Sequence, residues 1–120
     1  MWAPIEDYAL IGSGEGAGLV SRTGSIDWLC LPRIDHAAMM TALLGDERHG
    51  TWVVAPVYGP RTTSRRYRPG TMIVETEIAS DDGRIRLVDA MPTGTGASRV
   101  VRLIEGVEGA VQLHTQLVLS

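Results

Sequence analysis

A chain of 120 residues with 21% charged side chains, a hydrophobic share of 44% and a net charge of −3 has enough apolar content for a compact core and no basic excess to favour nucleic acid or an anionic membrane. Cys30 is the only cysteine, which excludes an intramolecular disulfide, and no segment approaches the ~20 apolar residues of a membrane-spanning helix. The first residues lack the basic-then-apolar order of a secretion signal, so a cytoplasmic protein that needs no metal or cofactor is expected.

Short strand-like runs punctuated by Gly, Pro and Asp dominate the chain. Residues 8–11 form an apolar run ended by Gly12. Residues 18–22 and 25–31, separated by Thr23 and Gly24, read as a β-hairpin, and Pro32 ends its second strand because it cannot donate to a ladder. The one helical candidate is 36–44, where Met39, Met40, Leu43 and Leu44 share a face, Asp35 can cap the start and Gly45 can stop the end. Residues 51–55 read as a strand closed by Pro56, and Tyr58-Gly59-Pro60 as a turn. Arg61, Arg65, Arg66 and Arg68 surround Tyr67 in a stretch that fits a solvated edge strand better than a nucleic-acid contact. Residues 71–79 and 84–91 alternate well around the turn at 80–83, with Ile85, Leu87 and Asp89 on one side. Residues 99–104 and 110–119 give two more strands, with 105–109 turning the chain between them.

Seven or eight short strands and one minor helix predict an all-β fold, an antiparallel β-sandwich forming one domain over 1–120. The pattern at 111–120 stops in mid-strand, as at the edge of a larger sheet. Such an edge is open to self-association into a homo-oligomer.

Few residues carry chemistry on their own. The glycines of 12–18 miss the dinucleotide register, since Ala17 or Leu19 falls where the third glycine is needed. His36, His49 and His114 lie in separate elements without ligand spacing. Among Asp27, Asp35, Asp46, Glu47 and Asp89, no spacing singles out the paired carboxylates of glycoside hydrolysis. The best candidate is Trp28, Arg33 and Asp35: an indole offers a flat face to sugar C–H groups, and the other two can fork hydrogen bonds to vicinal hydroxyls. The competing reading puts Trp28 in the core and makes Arg33 and Asp35 a local pair holding a loop; from residue chemistry alone it is the better one.

The segment Leu19-Val20-Ser21-Arg22-Thr23-Gly24-Ser25-Ile26-Asp27-Trp28-Leu29-Cys30-Leu31-Pro32-Arg33, with residues 4–12 before it and Ala42-Leu43-Leu44-Gly45-Asp46 after it, resembles the N-terminal trehalase-like domain of bacterial glycoside hydrolase family 15. Arg66-Tyr67-Arg68-Pro69-Gly70-Thr71, Val88-Asp89-Ala90-Met91-Pro92 and Val101-Arg102-Leu103-Ile104-Glu105-Gly106-Val107 fit in order. The chain departs from the family at Ile34 and near Met40, where aromatics are usual. The resemblance implies an antiparallel super-sandwich packed on a following (α/α)₆ barrel. That barrel would supply two glutamates for inverting hydrolysis of α-glucosides such as trehalose or maltooligosaccharides. None of the barrel lies within these residues, so the isolated chain is expected to be non-catalytic, with the barrel as its partner and an α-glucoside as its prospective ligand.

Overall fold

The computed structural model of the chain describes residues 7–12, 16–30, 50–92 and 99–118. Nine strands lie among them: β1 (Tyr8–Gly12), β2 (Ala17–Ser21), β3 (Ser25–Cys30), β4 (Thr51–Pro56), β5 (Arg61–Tyr67), β6 (Val74–Ser80), β7 (Gly83–Ala90), β8 (Val101–Gly109) and β9 (Leu113–Val118). They form two antiparallel sheets, ordered β1-β2-β3-β4-β9 and β5-β6-β7-β8. The sandwich expected from the strand pattern is therefore present. The candidate helix at 36–44 lies outside the described residues.

Alternation decides which side chains meet. Ala9, Val20, Ile26 and Trp52 form one row across the first sheet, and the core joins Ile11, Leu29, Val74 and Met91 to it. In the second sheet Val74, Thr76, Ile78, Ile85 and Leu87 are buried, while Glu75, Glu77, Arg84 and Arg86 alternate with them at partly exposed positions. The hairpin of β6 and β7 around 80–83 is as its alternation predicts.

The chain crosses from the first sheet to the second at 57–60 and returns at 110–112. The two crossings are tied together. Val57 N–H donates to the Gln112 carbonyl at 2.9 Å, and Gln112 N–H donates to Asp82 at 3.0 Å. Strand β5 stitches one sheet to the other: Leu10 N–H donates to the Tyr67 hydroxyl at 2.9 Å, and that hydroxyl donates back to the Leu10 carbonyl at 3.0 Å. This satisfies part of the outer edge of β1, which has no neighbouring strand among the described residues.

Two expectations change. Residues 71–73 precede the strand, because Thr71 N–H and its hydroxyl both bond the Arg68 carbonyl and Ile73 N–H turns to the Thr71 hydroxyl. Residues 105–109 continue β8 instead of turning the chain. An irregularity opposite Arg84 and Ile85 absorbs the extra residue Val107, and Gly109, at φ +69, makes the exit. Hence β8 and β9 do not pair; each forms an edge of a different sheet.

Candidate functional site

Asp27 occupies the middle of β3, flanked by the apolar Ile26 and Trp28, and is 1% exposed. The irregular pairing of β2 with β3 sets Leu19 against Trp28 and Val20 against Ile26, leaving Asp27 unmatched by a β2 partner. Its carboxylate accepts hydrogen bonds from the Tyr8 hydroxyl at 2.5 Å and the Ser25 hydroxyl at 3.0 Å on one oxygen, and from the Thr51 hydroxyl at 2.8 Å on the other. Ser25 is held in turn by Ser21, 2.7 Å away. A buried carboxylate needs such partners in place of water.

The site has a titration signature. Burial first, and then the Asp27 hydrogen bond and charge, push the Tyr8 phenol well above its usual range. A raised phenol contributes stability that is complete below about pH 10 and is lost as pH rises toward the folded-state value. One of the three tyrosines is therefore expected to stay protonated in an alkaline absorbance titration until the fold opens. Tyr8→Phe should abolish that delayed step. A delayed step that persists in Tyr8→Phe would assign it elsewhere.

Beside Asp27 lies a cleft of about 570 Å³. Ser25, Asp27, Thr51, Val53, Ala55 and Gln116 supply one wall, all from a single face of β3, β4 and β9. Arg22 and Thr23 of the β2–β3 turn, Pro60 to Thr62 at the start of β5, and Ile78 complete it. The turn is fixed closely. Gly24 has φ +97, and a Cβ there would stand 2.5 Å from the Val54 carbonyl oxygen, so only glycine fits without a shift.

The second buried acid serves a different end. Asp89, fully buried in β7, accepts from Arg102 Nε at 2.7 Å, and Arg102 Nη1 and Nη2 donate to the carbonyls of Trp52 and Gly24 at 2.8 and 2.7 Å. The guanidinium also lies 5.1 Å from the Trp52 ring centre. This is a cross-link between the sheets. Asp27 and Asp89 are each engaged with their own partners, not with one another as acid and base.

Of the residues singled out as a sugar contact, Trp28 is half-buried in β3 and does not line the cleft. Arg33 and Asp35 lie outside the described residues, as do His36, Asp46, Glu47 and His49. His114 is exposed on β9 opposite Ala55. Arg66 and Arg68, from the basic stretch, converge on Glu75 at 3.1 and 2.5 Å, and the Arg68 hydrogen bond leads in holding that carboxyl below its usual range. The cleft was missed in the sequence because its wall combines alternate residues from three strands whose register no local spacing reveals.

The family described as "Trehalase-like, N-terminal" matches residues 2–115. The chain is 36% identical over 91 residues to a trehalase of Mycobacterium tuberculosis, an alignment covering 76% of this chain and 13% of that protein. It is 35% identical over 91 residues to a trehalase of Mycolicibacterium smegmatis, covering 76% and 14%. It is 29% identical over 99 residues to trehalase 2 of Sulfolobus acidocaldarius, covering 82% and 16%. The chain thus spans well under a fifth of the length of these relatives. No solved structure gives a significant match.

Proposed function

Because the chain belongs to the family of trehalase-like N-terminal domains, we propose that it is the non-catalytic accessory domain of a larger hydrolase of α-glucosides, trehalose or maltooligosaccharides. Its role there is to pack on the (α/α)₆ catalytic barrel and support it. The relatives carrying this region are trehalases in which it covers 13–16% of the length, which leaves ample chain for a catalytic portion.

The observation that carries the packing role is an open side of the sandwich. Ile104 of β8 lies opposite the fully buried Leu87, and Leu117 of β9 lies opposite Trp52, which packs on the core. Register therefore aims both toward the interior, yet Ile104 is 45% and Leu117 54% exposed. Val107, at the irregularity of β8, is exposed too, whereas the exposed Leu103 lies opposite Val88 on the other face of the strand. Grouped apolar exposure of this kind marks a surface that another element covers. The outer face of the second sheet is built differently: Arg84 binds Glu77 and Glu108, and Arg86 stands between Glu77 and Glu105. Such self-neutralised pairs suit solvent and add little stability.

In the full-length protein, Ile104→Asp with Leu117→Asp is expected to lower thermal stability and the yield of active enzyme, while the purified 120-residue chain releases no glucose from trehalose or maltose. Glucose release by that chain, abolished by a point substitution within it, would overturn the reading. Self-association through β8 and β9 is the competing use of the same surface. It predicts a stable dimer in light scattering that the two aspartates dissolve.

A further inference from the structure

We propose that the outer edge of β1 is a strand-pairing surface for the β1 of a second copy of the chain, held shut in the monomer by the Tyr67 hydroxyl. In an antiparallel ladder each residue turns its N–H and C=O together to the same side. Both groups of Leu10 go to the Tyr67 hydroxyl, at 2.9 and 3.0 Å, so Leu10 faces away from β2. A hydroxyl donates and accepts. Tyr67 thus supplies the two bonds that one residue of an adjoining strand would supply. Close by, Arg65 Nη1 donates to the Asp7 carbonyl. Side chains of β5 therefore stand where the backbone of another strand would pair.

The segment Arg66-Tyr67-Arg68-Pro69-Gly70-Thr71 places the hydroxyl. Tyr67 lies opposite the buried Val74, while Arg66 and Arg68 on either side of it close on Glu75. Just beyond, Arg68 N–H donates to the Ile73 carbonyl at 2.9 Å, and Thr71 N–H donates to the Arg68 carbonyl at 3.1 Å. The end of β5 is held on both sides of Tyr67, so its ring is kept at the seam between the sheets.

The charge pattern favours a second β1 as the occupant. Tyr8–Gly12 carries no charged side chain, and Leu10 is 42% exposed. Two-fold antiparallel pairing centred on Leu10 sets that residue against its own counterpart and Tyr8 against Gly12. The Leu10 backbone groups then exchange the two Tyr67 bonds for two ladder bonds, and no like charges meet. Other edges are protected by charge: β5 carries Arg61, Arg65 and Arg66, and β8 carries Glu105, Glu108 and an irregularity. Only on β1 does a tyrosine stand in for that protection.

Pairing displaces two hydroxyls, one from each copy. Two neutral hydrogen bonds are worth about tenfold, so releasing both copies should tighten self-association about a hundredfold. The experiment is analytical ultracentrifugation of the chain over a range of concentrations, with circular dichroism and a thermal melt to show that each variant is folded. Tyr67→Ala should give the hundredfold gain, and its mixture with the parent should give heterodimers at about tenfold. Tyr67→Phe, which keeps the ring, should also associate more tightly than the parent and serves if the alanine variant does not fold. Adding Leu10→Lys to either variant sets like charges opposite each other and should return association to the parent level. Association of folded Tyr67→Phe equal to the parent's would overturn the proposal, as would a gain that survives Leu10→Lys. Pairing through the open side at β8 and β9 touches neither residue, so it would appear equally in parent and variants. Failure here leaves the scaffold role standing, since that role is tested at Ile104 and Leu117.

Discussion

Replacing Arg102 with Met is expected to destabilise the chain by about 3–5 kcal/mol, the usual penalty for leaving one member of a buried ion pair without the other. Arg102 and Asp89 side chains are 1% and 0% exposed, so water cannot stand in for the missing guanidinium. Three acceptors lose donors at once: an Asp89 oxygen and the carbonyls of Trp52 and Gly24. Arg102→Lys should recover only part of the loss, since one ammonium cannot reproduce a planar fork aimed at three places. Pairing Arg102→Met with Asp89→Leu should be markedly less damaging than Arg102→Met alone, because it removes the buried charge as well. Urea unfolding followed by tryptophan fluorescence reads all four proteins.

The same pair fixes a pH direction. Burial raises the Asp89 carboxyl, and the charge and hydrogen bond of Arg102 counter this without reversing it. A raised carboxyl favours the fold most below its unfolded value and loses that contribution as pH rises through the folded one. Without Arg102 the counterweight disappears. Arg102→Met should therefore be closer to the parent in stability at acidic pH than at neutral pH. A variant within about 0.5 kcal/mol of the parent at neutral pH would show that the cross-link is dispensable.

How far these features were legible follows from the range of each signal. Alternation over β6 and β7 is local, so it reveals both strands and the inward position of Asp89 beside Ile85 and Leu87. An acid facing inward needs buried hydrogen-bonding partners. Arg102 answers it from β8, at the register position opposite Asp89. The glycines at 106 and 109 mislead because glycine serves a bulge or strand exit as readily as a tight turn, and the choice depends on pairing with β7. The crossing of β9 to the far side of β4 has no local signature at all. Asp27 was visible as one acid among several. Its hydroxyl partners come from positions 8, 25 and 51, which only the assembled first sheet brings together.

Removing that acid is the second large effect to expect. Asp27→Ala should cost about 2–4 kcal/mol, because the stranded donors pay a desolvation penalty of about 1–3 kcal/mol each and not all can turn elsewhere. Thr51 has the Ile26 carbonyl within 3.2 Å as a second acceptor, and Ser25 retains Ser21. For the Tyr8 hydroxyl, Asp27 is the acceptor. The loss should therefore concentrate on the Tyr8 pair. In a double-mutant cycle, Tyr8→Phe should cost distinctly less in the Asp27→Ala background than in the parent. Asp27→Asn should fall between parent and alanine: its amide oxygen still accepts from Thr51, while its NH₂ group meets the hydroxyls of Tyr8 and Ser25. Thermal melts of the four cycle members measure the coupling. Additive losses would mean that Tyr8 and Asp27 act independently despite their 2.5 Å contact, and would remove the basis for treating the carboxylate as the fixed floor of the cleft.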